Sequence, residues 1–394
     1  MSELSREAEL LLCCARTRPE PGRVQRLGAL LKRPIDWDRA MELASWHGTL
    51  PLLYWNLNEN FAAAIPADIL AKLREYFHST AWRNLFMTAE LLRLLRVFRD
   101  ENIPAIPLKG PALARLLYEN LALRDFSDLD ILIHYEDVAR AKEILESWSY
   151  RPQLRLRGGA QAAFLNSNYE LCFAREGASD VEIHWGFQEE KFLSKRVNPE
   201  SWWNRLEPLP MGSEELQAPC RQDLLLFLCA HGAKHAWNRL KWITDIAELL
   251  RVSPDLDWRA LMGNVDAWGA ERLLLLGVRL AHDLLSAQLP DEMLARIADE
   301  PVLEPLAALV AERLWKSLER SPGILETASF HLKMRTRWQD KLRYCLQNTM
   351  VPTVGEWKLI PLPEHLSFLY YPMRPLRLIG AYSLELLKRL FTLP

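Results

Sequence analysis

The stretch that decides the fold runs from Ala105 to His134: Ala-Ile-Pro-Leu-Lys-Gly-Pro-Ala-Leu-Ala-Arg-Leu-Leu-Tyr-Glu-Asn-Leu-Ala-Leu-Arg-Asp-Phe-Ser-Asp-Leu-Asp-Ile-Leu-Ile-His. A short apolar run, 104–108, reads as a strand and ends in Lys109-Gly110. Pro111 suits the first turn of a helix. Arg124, Asp125 and Ser127 make a polar turn, and Asp128-Leu-Asp130 then leads into the apolar strand Ile131-Leu132-Ile133. Side chains two apart on a strand share a face, so Asp128 and Asp130 point the same way. Two carboxylates that close repel unless a cation neutralises them.

An Asp-x-Asp pair alone also fits a solvated turn before a strand. Its setting points to chemistry instead. The upstream glycine turn opens a helix, whose N-terminus suits a phosphate. A third acid, Glu182, sits downstream in Asp180-Val-Glu-Ile-His-Trp185, where polar and apolar residues alternate. Asp180, Glu182 and His184 therefore share a face, with Val181 and Ile183 toward a core. Three acids on two strands beside a glycine turn suit metal-assisted phosphoryl chemistry, in which two ions about 3.5–4 Å apart clamp the attacking and leaving oxygens.

With these residues in view, the sequence resembles the polymerase-beta-like nucleotidyltransferase superfamily. The resemblance is carried by the Lys109-Gly110 turn, Asp128-Leu-Asp130 and Glu182 between apolar residues. More narrowly it resembles a bacterial family of uncharacterised nucleotidyltransferases, with Leu108-Lys-Gly, Arg124-x-x-x-Asp-Leu-Asp130 and the segment His231 to Trp237 matching its motifs. The resemblance implies an α+β fold: a small mixed-sheet nucleotidyltransferase core embedded between N-terminal and C-terminal helical regions. It also implies an enzyme that moves a nucleoside monophosphate from an NTP, ATP foremost, to a hydroxyl acceptor with release of pyrophosphate. Asp128, Asp130 and Glu182 would hold two Mg²⁺ ions and carry catalysis. Lys109 and Gly110 would meet the triphosphate, and Arg124 or Ser127 would touch the β- and γ-phosphates or orient the acids. The wider superfamily places Gly-Ser or Gly-Gly in the turn where this chain has Lys109-Gly110, so Lys109 takes over the phosphate contact. The implied acceptor is a biosynthetic small molecule, saccharide or peptide, with tRNA or a protein as further options. A phosphotransferase on the same metal site, and an inactive nucleotide-binding scaffold, are the alternatives.

Composition bounds this reading. At 394 residues, with 49% hydrophobic and 25% charged residues, the chain has the makeup of a globular protein large enough for two or three subdomains. A net charge of −2 gives no general nucleic-acid surface, and no DNA partner is expected. No apolar run reaches the roughly 18 residues of a membrane span. The first residues are too charged for a signal peptide. The cysteines Cys13, Cys14, Cys172, Cys220, Cys229 and Cys345 form no Cys-x-x-Cys pair, so reduced thiols in a cytoplasmic protein are expected.

Residues 1–100 read as helices. Ser5 caps the first, Asp36 opens another that ends at His47-Gly48, and the longest pattern runs from about Ala67 to Asp100, as one helix or as two broken near Ser79. Residues 101–210 form the α/β core, with a helix over Asp137 to Trp148, a half-buried strand over Arg151 to Arg157, a turn at Gly158-Gly159 and a hairpin closed by 175–179. A connector carries Trp202-Trp203 and a small hairpin over Leu209 to Pro219. Residues 211–394 are helical again. Gln222 to Trp237 is a helix with His231 and His235 four apart. That spacing fits zinc, a structural role near the cleft, or a substrate contact from Lys234 or His235. Asp245 is placed to pair with a histidine or Lys241. Thr327 to Asn348 reads as one helix with a solvated or a basic, substrate-facing side, and Pro352 to Pro363 as an extended stretch. The last helix, Leu376 to Phe391, packs on the body or meets a membrane surface.

Overall fold

The computed structural model describes residues 4–154, 158–186, 200–316, 323–359, 362 and 364–391. Four short helices open the chain: α1 (Arg6–Cys14), α2 (Pro21–Leu30), α3 (Trp37–His47) and α4 (Leu50–Phe61). Ser5 caps α1 by accepting from the Ala8 amide at 3.1 Å. Asp36 caps α3, which closes on Gly48 in the left-handed region. The leucine spacing after Pro66 produces one unbroken helix, α5 (Ala67–Asp100). Its 34 residues touch two separate cores: Ile69 and Leu73 lie in the first, Met87 to Phe98 in the second.

The α/β segment follows as β1 (Ala105–Pro107), α6 (Pro111–Tyr118), β2 (Asp128–Ile133), α7 (Val138–Ser147), β3 (Arg151–Pro152), α8 (Gly158–Ser167), β4 (Glu170–Ala174) and β5 (Asp180–His184). The strands form one mixed sheet in the order β1-β2-β5-β4-β3. Only β2 and β5 run parallel, and their register sets Asp128 opposite Asp180 and Asp130 opposite Glu182. Strand alternation divides the faces. Leu129, Ile131, Ile133, Val181 and Ile183 enter the second core with α5 and α7, while Leu132 enters the first. The acids share the face of Leu132.

Two expectations fail in this segment. The half-buried strand over 151–157 pairs only at Arg151 and Pro152, and residues 155–157 lie outside those described. Gly158-Gly159 begins a helix rather than a turn. The alternation of Leu154 and Leu156 is too short a signal to specify a partner strand.

After α9 (Glu200–Trp203), the hairpin β6 (Leu206–Met211) and β7 (Glu214–Pro219) leads into helices α10 (Arg221–Lys234), α11 (Leu240–Val252), α12 (Trp258–Trp268), α13 (Glu271–Leu285), α14 (Asp291–Ala298) and α15 (Leu303–Lys316). These pack with α1–α4 into the first core. The helix expected over 327–348 is two, α16 (Ile324–Lys333) and α17 (Trp338–Met350), and the stretch expected to be extended holds α18 (Val354–Leu359) before α19 (Tyr370–Phe391). Among the described residues no helix is long and apolar enough to cross a membrane.

One buried contact ties the segment before the acid strand to the C-terminal helices, and a second shapes the end of α10. The first is a buried clamp. Arg124 donates through Nε and Nη2 to the two oxygens of Asp245 on α11, both at 2.9 Å, and the Tyr118 hydroxyl donates to Asp245 Oδ1 at 2.7 Å. Arg124 and Asp245 are 6% and 1% exposed. Breaking a buried pair from one side strands a charge away from water. The second lies at the end of α10. Trp237 folds back over the helix at positive φ, its amide bonded to the Gly232 carbonyl at 2.8 Å. A Cβ on Gly232 would stand 2.3 Å from the Trp237 ring. Helix propensity alone would favour alanine there by about 1 kcal/mol.

Asp245→Ala is expected to cost about 3–5 kcal/mol of stability in urea unfolding; a loss under about 1 kcal/mol would assign the clamp the weight of a surface pair. Gly232→Ala is expected to destabilise by about 1–3 kcal/mol through overpacking against Trp237, whereas stabilisation would mean that the ring moves aside freely.

Candidate active site

The site is laid out by backbone pairing. β1 runs antiparallel to β2, and the Leu108 amide bonds to the Asp130 carbonyl at 3.0 Å, which brings the Lys109-Gly110 turn alongside the acids. Gly110 adopts φ 57° and ψ −126°, and a Cβ there would meet the Asp128 carbonyl oxygen at 3.1 Å. Glycine is required on both counts. The turn thus passes close against the acid strand, and α6 starts from it.

On the acid face, Lys109 Nζ lies 2.8 Å from Asp130 Oδ1. His184 Nε2 lies 3.2 Å from the same oxygen and 3.6 Å from Glu182 Oε2. Its other nitrogen, Nδ1, is 3.7 Å from Glu170 Oε2 on β4. The Cys172 thiol sits 3.6 Å from Glu182 Oε1. Asp130 and His184 are 2% and 7% exposed. Asp130 Oδ2 is buried and has no hydrogen-bond partner.

Charges shift accordingly. Burial alone would raise the Asp130 carboxyl, but the Lys109 ammonium and the His184 imidazole overrule it and hold it well below its ordinary value. Burial opposes the charged form of His184 too, yet its hydrogen bonds to Asp130 and Glu182 raise it to about 9. Glu182 is held down by the bond from His184, against burial and the Asp130 charge. Asp128 goes the other way: burial and then the Asp130 charge raise it, with Lys109 and Lys241 opposing. Burial pushes the Cys172 thiol far up, so it remains a protonated donor.

A divalent cation fits this donor set. One ligand atom each from Asp130, Glu182 and His184 lie within 4.8 Å of one another, and Asp130 supplies an oxygen that nothing else satisfies. Asp128 stands one step along β2, half-buried, opposite the exposed Asp180.

The other residues singled out from sequence fall in three places. Ser127 is exposed and lines a cleft of about 780 Å³ together with Arg83, Phe86, Asp125, Arg175 and Asp180. The Arg124 guanidinium is turned to Asp245, so it anchors the loop before the acids from beneath. Lys234 ends α10 and His235 follows it, with the His235 ring stacked 4.9 Å from Trp242 and edge-on to His231 at 4.9 Å. His231 and His235 do not join the cluster that could share one ion. Helix α10 approaches the site through Phe227, whose ring lies 5.9 Å from Lys109 Nζ.

Two residues gain weight that sequence alone did not give them. His184 was visible on the acid face beside Glu182, but its contact with Asp130 follows only from the parallel register. Lys241, half-buried on α11, sits near enough to Asp128 and Asp125 to feel both charges. No local signal marked it, because a lysine on an amphipathic helix is ordinary.

No curated protein matches this chain. Among solved structures, an antigenic nucleotidyltransferase-like protein from Paracoccidioides brasiliensis is similar at 14% identity, over 52% of this chain and 94% of its own, with a TM-score of 0.29. So low a score carries no argument. The family model described as uncharacterised nucleotidyltransferase matches residues 33–286, more than half of the chain and the whole of the site above. The chain belongs to that family of uncharacterised nucleotidyltransferases.

Proposed function

We propose that this protein transfers a nucleoside monophosphate from an NTP, ATP foremost, to a hydroxyl on an acceptor and releases pyrophosphate. One observation carries the reading: the parallel register of β2 and β5 sets Glu182 beside Asp130, whose second oxygen is buried without a partner. Asp128, Asp130 and Glu182 hold Mg²⁺, two ions in the full reading. Bound there, the metal would offset the charge of the transferring phosphate and lower the pKa of the attacking hydroxyl.

The chain's own groups do the rest. Gly110 lets the backbone come close to the triphosphate at the start of α6. Lys109 and Lys241 bring positive charge to either side of Asp128, in place of the serine that the turn lacks. Glu182 is kept ionised and is poised to take the acceptor proton. Arg124 holds the acid loop in register through its bond to Asp245. Ser127 lies at the mouth of the neighbouring cleft, where the acceptor would enter between α5 and the β4–β5 turn. Helical regions 1–100 and 211–394 flank the core of 101–210, and the second half of α5 shapes that entrance. Lys234 and His235 stand at the outer end of α10, where they would meet the far part of a bound substrate.

The acceptor in this reading is a small biosynthetic molecule, a saccharide or a peptide. A cleft that sets Phe86 beside the paired charges Arg83–Asp125 and Arg175–Glu90 suits a compact polar acceptor with an apolar part better than a duplex. The six unpaired cysteines suit a reducing compartment, and we place the reaction in the cytoplasm.

Incubation with Mg²⁺ and NTPs labelled in parallel at the α- and γ-phosphates, with cell extract as acceptor source, is the test. Label from the α-phosphate should appear on an acceptor as pyrophosphate is released. Asp128→Asn with Asp130→Asn should reduce that transfer to background while the circular dichroism spectrum stays native. Transfer of the γ-phosphate alone would replace this reading with a phosphotransferase, and Mg²⁺-dependent NTP binding without turnover would favour a scaffold.

A further inference from the structure

We propose that His184 is itself a metal ligand, so that the site formed with Asp130 and Glu182 offers a nitrogen donor to a first-row transition cation, with Mn²⁺ as the paramagnetic probe, beyond the oxygen ligands that the Mg²⁺ of the reading above would use. This rests on the metal-site half of the reading above and not on the reaction catalysed. The period of β5 puts His184 on the same face as Glu182, and the register with β2 brings both to Asp130. The separations from Nε2, 3.2 Å to Asp130 Oδ1 and 3.6 Å to Glu182 Oε2, match the edges of a coordination polyhedron. Bonds of about 2.0–2.2 Å give ligand–ligand edges of roughly 3.0–3.6 Å in octahedral to tetrahedral geometry.

Two further features point to a ligand. Asp130 Oδ2 is buried, faces no hydrogen-bond donor and needs a positive partner. On the far side of the ring, Nδ1 approaches Glu170 Oε2 at 3.7 Å, across a register pair of β4 and β5. At that separation Glu170 is a charged neighbour of the ring and not a hydrogen-bond partner, but it stands on the side where a carboxylate orients metal-bound histidines. The ring is 7% exposed, so its orientation is set by these neighbours rather than by solvent.

The cation class follows from the donors. Mg²⁺ selects oxygen ligands in an octahedral shell and retains several waters. Imidazole nitrogen shifts a mixed site toward first-row transition ions. The competing role for His184 is that of a hydrogen-bond donor that merely holds Asp130 and Glu182 in place.

Pulsed electron paramagnetic resonance of the full-length protein with bound Mn²⁺ separates the two roles. Modulation from a directly coordinated ¹⁴N is expected, and it should vanish in His184→Gln. That variant should bind Mn²⁺ at least about tenfold more weakly, while Mg²⁺ affinity, measured by competition, changes by less than about threefold. Bound Mn²⁺ without nitrogen coupling in the wild-type protein overturns the proposal, and that result does not depend on any variant folding. An equal loss of both cations in His184→Gln also overturns it, leaving a positioning residue. Should Asp130→Asn keep full Mn²⁺ affinity, the metal site itself falls. If nitrogen-coupled Mn²⁺ is bound but no NTP supports transfer, the ligand assignment stands and the reaction assignment falls.

Discussion

A guanidinium and a carboxylate, both out of water, join the two cores of this protein. Arg124 precedes the acid strand and Asp245 lies on α11, more than a hundred residues later in the chain. Their paired hydrogen bonds, with Tyr118 added, fix the loop that delivers Asp128 and Asp130. Placing those charges inside is costly, and a hydrophobic pair of similar volume would often serve stability as well. What the ion pair adds is direction: two parallel hydrogen bonds accept one orientation of the loop, whereas apolar contact would tolerate many. That is the requirement of a site in which carboxylates must be aimed to within fractions of an ångström.

The same logic governs the acid face. Carboxylates from two strands converge because β2 and β5 run parallel in one register, and a slip by one residue would send Glu182 to the opposite face. Their mutual repulsion is met by the Lys109 ammonium and by the His184 ring, both supplied by the chain itself. One oxygen of Asp130 is left over. Buried polar atoms are seldom left without a partner; this oxygen is one of several such atoms among the described residues, and it lies in the group of Asp130, Glu182 and His184 that could share an ion.

Helix α5 and the segment after α10 show how the helical regions serve the core. The first half of α5 belongs to the first, mainly helical core and the second half backs the sheet, so one helix sets the sheet against the helices. The His231 to Trp237 motif is explained in large part by packing: Gly232 leaves room for the Trp237 ring, and the chain turns there at positive φ into α11, which carries Lys241 and Asp245 toward the site.

Sequence alone determined the parts whose signals are local. Pro111 after Lys109-Gly110, the alternation around Asp128-Leu-Asp130 and Asp180-Val-Glu182, the caps at Ser5 and Asp36 and the helical leucine pattern from Ala67 to Asp100 are consequences of neighbours a few residues apart, and so was the family resemblance those motifs carry; that the leucine pattern forms one helix rather than two was decided by the fold. Local signals misled where they were short or ambiguous, as at Gly158-Gly159 and over 352–363, since proline also opens helices and glycine is tolerated at their starts. Everything that depends on two distant segments meeting was decided by tertiary structure. Pairing of Arg124 with Asp245 rather than with a phosphate, the contact of His184 with Asp130, and the approach of Lys241 to Asp128 arise from strand register and helix packing. A charged residue in a sequence carries no mark of its partner; burial and proximity assign it one.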